Sequence, residues 1–246
     1  MPLPLMDISL KRKKILVTGA SGAVGRAVAE QALDSGAWVA GSYLQSEEDA
    51  RALERRGVFM VKADLTSRSQ ARDMVRAVLA EGGHLDGVVY SAGNTRDRTA
   101  AKITDQEWDE VIAVHLNSLF AVTQEVLPVM RERKAGKLVA IGSLSGVIGR
   151  FGQPNYSAAK AGVVGYMKSV AKEAGRFGVT ANVVCPGFVD SRMTRKIPQE
   201  AWERAKNESA LGTISSVETA SSFIVWLLSD LCKNVTGQVF QLDSRI

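Results

Sequence analysis

The chain has 246 residues, of which 46% are apolar and 23% charged, with a net charge of +5. That length carries one large α/β domain or two small ones with a sizeable core, and the composition sets aside the disordered, fibrous and disulfide-stapled classes. No apolar run approaches the ~20 residues that span a membrane, and the positive charge is interleaved with acids without a zinc-finger, helix-turn-helix or RNP-like signature, so neither a membrane nor a nucleic acid is expected as a partner.

Met1 to Leu10 contains two prolines and lacks the apolar centre of a signal peptide, so residues 1–12 read as a flexible lead-in. The basic run Lys11-Arg12-Lys13-Lys14 reads as the solvated entrance to a first strand, Ile15-Leu16-Val17, which ends in a glycine turn. A helical pattern follows over 24–33, then a strand over 38–43. The next helix, 46–56, has Ser46 as its cap and Glu47 and Glu48 in its positive first turn. A third strand (58–61), a helix (67–79) and a fourth strand (86–91) continue the alternation. Thr104 caps a helical stretch that resumes over 111–133. The fifth strand (137–141) leads to a long helix over 154–176, with Pro154 suited to its first turn. The sixth strand (179–184) gives way after Pro186-Gly187 to a polar, less regular segment reaching residue 213. A helix (217–228) and a last strand (238–242) close the pattern.

Strict strand–helix alternation predicts an α/β fold, a doubly wound parallel sheet with helices on both faces. No repeat, low-complexity segment or linker interrupts it, so residues 1–246 are expected to form a single domain. Cys185 and Cys232 stand far apart without a CxxC pair. They read as two reduced thiols in a cytoplasmic protein, with no metal site.

Two motifs carry chemistry. Thr18-Gly19-Ala20-Ser21-Gly22-Ala23-Val24-Gly25 follows a strand and opens a helix. In that setting Gly19 permits a tight turn, Gly22 lets backbone approach a pyrophosphate, and Gly25 allows close helix–strand packing. A Gly-rich turn without a ligand is the bland alternative. The second strand ends without the acidic residue that would bind the adenosine ribose of NAD. Its absence removes repulsion toward a 2′-phosphate and favours NADPH over NADH, with Ser42, Tyr43 and Ser46 as hydrogen-bonding candidates.

The second motif is Tyr156 and Lys160, four apart and so on one helix face, with Ser143 upstream at a strand end. A phenol beside an ammonium can give or take a proton, and a serine hydroxyl can steady the oxygen that gains or loses it. With the glycine cradle this reads as hydride transfer to or from a carbonyl. A Tyr-xxx-Lys pair alone is common, and a half-buried helix tyrosine is its plain alternative.

These residues together resemble the short-chain dehydrogenases/reductases, more narrowly the 3-oxoacyl-(acyl carrier protein) reductases, over residues 14–242. The resemblance implies a Rossmann-type NAD(P)-binding domain. Residues 18–25 match the family's TGxxxGxG, with Ala23 where a glycine is expected, which places Gly19, Ser21, Gly22, Ala23, Val24 and Gly25 around the cofactor. Asp64 and Leu65 fall on the adenine-contacting segment. Ser91, Ala92 and Gly93 fall on the segment lining the cofactor, with Tyr90 and Ser91 replacing two asparagines. Pro186, Gly187, the Val189 backbone and the Ser191 hydroxyl frame the nicotinamide carboxamide.

Ser143, Tyr156 and Lys160 fall on the catalytic residues, Tyr156 and Lys160 also contacting cofactor, and His115 stands where the family has a fourth, asparagine, member. The implied roles are Tyr156 as proton donor in reduction, Ser143 on the substrate oxygen, and Lys160 on the nicotinamide ribose. Lowering a tyrosine from ~10 toward ~7 requires roughly 4 kcal/mol of preference for the phenolate, which Lys160 and an oxidised nicotinamide would favour. His115 is either a proton relay that titrates near working pH or a packing residue. His84 reads as a surface loop residue.

The implied reaction is NADPH-dependent reduction of a 3-oxoacyl thioester, on acyl carrier protein or coenzyme A, by a homotetramer assembled through the helices at 111–133 and 154–176. Val122, Val126, Val129, Val163, Val164, Met167 and Val170 are the expected partner-facing residues. Lys134, Arg176, Arg192, Arg195 and Lys196 read as an electropositive rim for an acidic carrier or as a solvated face. Trp108, Trp202 and Trp226 read as core or interface aromatics, Trp202 alone being in the substrate-side segment 190–213. Reduction of another ketone, or a non-catalytic dinucleotide-binding scaffold, are the competing readings.

Overall fold

Strands that must hide both faces read as unbroken apolar runs. Lys14–Thr18 and Gly87–Tyr90 are of this kind, and the computed structural model, which describes residues 8–189 and 199–245, buries nearly all of both. In chain order the strands are β1 (Lys14–Thr18), β2 (Trp38–Tyr43), β3 (Phe59–Lys62), β4 (Gly87–Tyr90), β5 (Gly136–Ile141), β6 (Val179–Cys185) and β7 (Val239–Gln241). They form one sheet in the order β3-β2-β1-β4-β5-β6-β7, with every neighbouring pair parallel. The chain runs outward from β1 to β3 and returns beside β1 as β4. That reversal opens a crevice at the carboxyl ends of β1 and β4.

The helices are α1 (Ala23–Asp34), α2 (Glu47–Arg55), α3 (Arg68–Gly82), α4 (Asp105–Ile112), α5 (Ser118–Arg133), α6 (Ser145–Ile148), α7 (Pro154–Ala174), α8 (Gln199–Asn207) and α9 (Val217–Leu228). They cover both faces of the sheet. On one, Met74, Val78, Leu119, Val126, Met130, Val163 and Met167 from α3, α5 and α7 pack on the sheet. On the other, Val28, Ala32, Leu53, Ile224 and Leu228 from α1, α2 and α9 do so. Each fully buried aliphatic side chain of this kind stabilises the fold by about 1.5–3 kcal/mol relative to leaving it exposed.

Several expectations change at this level. Residues 8–12 are anchored rather than flexible, because Leu10 is fully buried and its N–H donates to Ser35 O at 2.8 Å; residues 1–7 lie outside the described part. Ser46 stands at the start of α2 but its hydroxyl makes no cap bond, whereas Thr104 forms a reciprocal capping box with Glu107. The helical stretch Asp105–Arg133 does reach the length and mean hydropathy, 1.2, of a membrane span. Its apolar face is Val111, Leu119, Val122, Val126 and Met130, all buried against the core of this chain. Burial likewise revises the partner-facing set: Val122, Val126, Val163, Met167 and Val170 are core residues of one subunit, leaving Val129 and Val164 half-buried. The segment expected to be irregular contains α8.

Candidate active site

Gly19 ends β1 with a φ of +64°, and a Cβ there would stand 2.7 Å from Ala92 Cα. Only glycine meets both demands. The turn is then stitched to the end of β4 by Thr18, whose hydroxyl accepts the N–H groups of Ser91 at 3.1 Å and Ala92 at 3.2 Å. Ser42 completes the support from β2, accepting the Gly19 N–H at 3.1 Å. This corrects the assignment of Ser42 as a direct cofactor contact: its side chain is 1% exposed and committed to the cradle from beneath. Tyr43, next along β2, is half-buried at the strand end.

The first turn of α1 carries no acidic residue and Gly22 gives it no side-chain cap, so its amides remain available to an anion. Gly22, whose added Cβ would meet only Gly19 O, at 3.3 Å, keeps the approach open. These features fit a dinucleotide pyrophosphate. Beyond β3, Asp64 holds the turn, accepting from Thr66 N at 2.9 Å and Thr66 Oγ1 at 2.7 Å, while Leu65 is buried. Glu47, the first acid after β2, is engaged with Lys62 at 2.7 Å, which offsets its charge beside the cradle. Tyr90 points away from the groove. Its hydroxyl lies 3.1 Å from Thr123 Oγ1 in the core, and burial pushes its pKa up.

The second half of the site gathers at the carboxyl end of β5. Gly146 lets α6 lie directly on α7, since a Cβ there would stand 2.7 Å from the Lys160 backbone. That close approach brings Ser143 beside Tyr156, where its hydroxyl favours the ionised phenol. Lys160 is 5% exposed, and its Nζ donates to Ile141 O at 2.6 Å and lies 5.6 Å from the Tyr156 ring centroid. Burial lowers its pKa to about 8. Burial also pushes Tyr156 up from its ordinary value, against the neighbouring Ser143 hydroxyl, which pulls it down. The expected descent toward neutrality is therefore not a product of the protein groups; they hold the phenol protonated, the form that can give a proton.

His115 lies in a π-helical turn, Ala113–Asn117, between α4 and α5. Its Nε2 is 2.8 Å from Asn94 O and 3.3 Å from Asn94 N, within hydrogen-bond reach of both. Its ring meets that of Tyr156 edge-on at 5.2 Å. Burial, and then the Lys160 charge, lower its pKa to about 3, which favours the packing alternative over a relay that titrates near working pH. Nδ1 is buried without a protein partner.

Gly93 stands against the His115 ring, and Val189 bridges to Ser215 behind Pro186-Gly187. Ser191, Arg192, Arg195 and Lys196 lie outside the described residues. Trp202 meets Phe188 edge-on at 4.9 Å, which makes it a packing partner of the substrate-side segment. The chain end joins the same cluster: Arg245 pairs with Asp243 and lies 5.7 Å over the Phe188 ring, and Ser244 Oγ is 2.6 Å from Ser209 Oγ. Lys134 and Arg176 sit at the opposite ends of β5 and β6 from Ser143, a strand length of about 20 Å away. His84 is half-buried beside Asp86, at 3.3 Å.

Two features escaped the sequence reading. Asn155 is fully buried and bonded to two distant segments and to the N–H of Tyr156, and the turn before it turns Val147, Ile148 and Phe151 outward, Phe151 being 92% exposed. An asparagine before a tyrosine carries no sequence signal of burial, whereas an apolar cluster in a glycine-flanked turn could have been noticed.

A family profile described as short chain dehydrogenase matches residues 13–202. The chain is 36% identical to a 3-oxoacyl-(acyl-carrier-protein) reductase of Thermotoga maritima over 242 residues, covering 96% of this chain and 98% of that protein. It is 35% identical to one from Staphylococcus aureus, covering 94% and 96%, and 33% identical to one from Salmonella typhimurium, covering 96% and 98%.

Proposed function

The chain belongs to the short-chain dehydrogenase family and is an NAD(P)H-dependent oxidoreductase, and from that premise we propose that it uses NADPH to reduce a 3-oxoacyl thioester, carried by acyl carrier protein or coenzyme A, to the 3-hydroxyacyl thioester. One observation carries the reading. A Tyr–Lys–Ser group with a buried lysine and a half-buried tyrosine and serine stands at the carboxyl end of β5, on the edge where the glycine cradle opens. The named relatives are reductases of carrier-linked 3-oxoacyl groups, which supports the substrate class. Val147, Ile148 and Phe151 beside Ser143 give the site an apolar lip suited to an acyl chain.

The nicotinamide, when bound, supplies the hydride. Ser143 donates a hydrogen bond to the ketone oxygen, keeping its own proton, and so favours charge growing there. Tyr156 gives its proton to the same oxygen as the alkoxide forms. Lys160, held by Ile141 O, keeps two further N–H donors for the nicotinamide ribose hydroxyls and places positive charge beside the phenol as it ionises. The first-turn amides of α1, Gly19 and Gly22 hold the pyrophosphate, and Asp64, Tyr43 and the 91–93 segment flank the adenosine half. Preference for NADPH rests on the missing acid at the end of β2 and on the pairing of Glu47 with Lys62.

A spectrophotometric assay of NADPH oxidation with acetoacetyl carrier protein, acetoacetyl coenzyme A and longer 3-oxoacyl groups, run beside NADH, tests this. Turnover is expected with NADPH at least tenfold better in kcat/KM than with NADH, the factor that about 1.4 kcal/mol of discrimination at the 2′-phosphate gives. Cofactor binding without turnover on any 3-oxoacyl thioester would favour the scaffold reading instead.

A further inference from the structure

We propose that Asn155 is a positioning residue for the reaction: it ties the proton donor Tyr156 to the segment that closes the cofactor cradle. The inference rests on the reading of Tyr156 given above. Asn155 occupies the second position of α7, directly before Tyr156, and is 0% exposed. Its Nδ2 donates to Arg96 O at 3.1 Å and Glu107 O at 3.2 Å, and its Oδ1 accepts the Tyr156 N–H at 2.8 Å. Both amide protons and the oxygen are thus engaged, the protons with two separate stretches of chain and the oxygen with the next residue of its own helix.

The chemistry of this arrangement is particular to an amide. Two carbonyls from different segments converge on one point where a single amide can donate to both, while the start of a helix needs an acceptor for an orphan N–H. A carboxylate would set oxygen against both carbonyls, and a leucine would remove both donors and the acceptor at once. Neighbouring bonds run between the same two stretches: Arg98 N donates to Gly152 O at 2.8 Å, and Gln153 Nε2 donates to Asp97 Oδ2 at 2.9 Å. Asn94, in the same segment, contacts His115, whose ring meets Tyr156 edge-on. The phenol is therefore braced through its backbone and through its ring by residues 94–98. That segment continues from Ser91 and Ala92, which Thr18 fastens to the cradle. A contiguous path thus sets the distance between the bound dinucleotide and the acid.

The test compares Asn155→Ala and Asn155→Asp with the unaltered enzyme, measuring NADPH affinity by fluorescence, kcat and KM for an acetoacetyl thioester, and kcat against pH. Misplacing a reacting group by about 1 Å costs roughly a hundredfold in rate, so kcat should fall about ten- to a hundredfold while NADPH affinity changes less than about threefold. The alkaline limb of kcat should move to higher pH, because a phenol drawn away from Ser143 loses the neighbouring hydroxyl that favours its ionisation. The charged and titratable groups facing it are Lys160 on α7, His115 on the π-turn, Cys185 on β6, and Asp97 and Arg150 on flanking loops. All of them are retained in the variants.

A residue that served stability alone would leave that limb in place, so an unchanged limb, or an unchanged kcat, overturns the proposal. Where Asn155→Ala does not fold, Asn155→Ser, which keeps one donor, serves with an intermediate rate expected. Tyr156→Phe run alongside separates the two readings. If it retains turnover, the parent reading fails and this one with it. If it is inactive while Asn155→Ala behaves as the unaltered enzyme, only this inference fails.

Discussion

Lys160 holds an ammonium where the fold has removed water. Its pKa falls from 10.5 to about 8, which is on the order of 3 kcal/mol against the charged form. A base whose folded pKa is depressed binds fewer protons folded than unfolded, so stability rises as pH climbs from about 8 toward 10.5. Lys160→Met should therefore be at least as stable as the unaltered protein at pH 7, by about 1–2 kcal/mol after the lost bond to Ile141 O is counted. Urea unfolding at pH 7 and pH 9.5 checks this, the advantage shrinking at the higher pH. A variant clearly less stable at pH 7 would show that the ammonium is not a cost to the fold.

The Tyr–Lys–Ser set was legible in the sequence because helical spacing and a strand end fix relative position. Asn155 was not, because its partners are backbone carbonyls 59 and 48 residues away, which no local pattern encodes. Ser42 was misread for a related reason. Alternation along β2 decides which side chains face the groove, and Ser42 turns to Gly19 instead. His115 occupies the position the family resemblance gave it. Its neutrality follows from burial, which only the packed structure reveals.

At the scale of elements, β1 and α1 depend on glycines that admit no side chain. A Cβ at Gly25 would lie 2.4 Å from Gly19 O, inside any real contact distance. Gly25→Ala should shift α1 away from the turn, destabilise the fold by about 1–3 kcal/mol and weaken NADPH binding, since the amides of the cradle move with the helix. Fluorescence titration with NADPH measures this, and wild-type affinity would show that the close approach is not needed for cofactor binding. Strand and helix cores were readable from periodicity, as the agreement at β2 and α9 illustrates. The π-turn at Ala113–Asn117 and the four-residue α6 were not, because one turn of helix leaves no periodic signature and a π-turn differs from an α-turn by a single residue. Both lie at the site, where His115 and Ser143 are delivered.

For the whole molecule, the doubly wound order explains why cradle and acid–base group share one edge: every strand that carries them runs in the same direction, so their carboxyl ends coincide. The homotetramer proposed from the family resemblance draws less support from apolar residues than the bare sequence suggested, since most of those valines fill this chain's own core. Assembly also bears on carrier docking, because Lys134 and Arg176 lie at the far end of the strands from their own Ser143. If basic residues steer an acidic carrier, KM for the carrier-linked substrate should rise with ionic strength, severalfold between 50 and 300 mM salt, as the Debye length shortens from roughly 14 to 6 Å. The coenzyme A ester, lacking the protein surface, should respond much less. A flat response for the carrier-linked substrate removes the steering account while leaving the chemistry in place.

The proposed chemistry depends on the phenol of Tyr156. The most direct measurement is turnover by Tyr156→Phe, which keeps the ring, its edge contact with His115 and the packing of α7 but has no proton to give. NADPH affinity should stay within about threefold of the unaltered enzyme while kcat for acetoacetyl-thioester reduction falls by at least about a hundredfold, the usual contribution of a positioned general acid. Turnover preserved within a few-fold, with cofactor bound as before, would contradict the assignment and the proton-transfer scheme built on it.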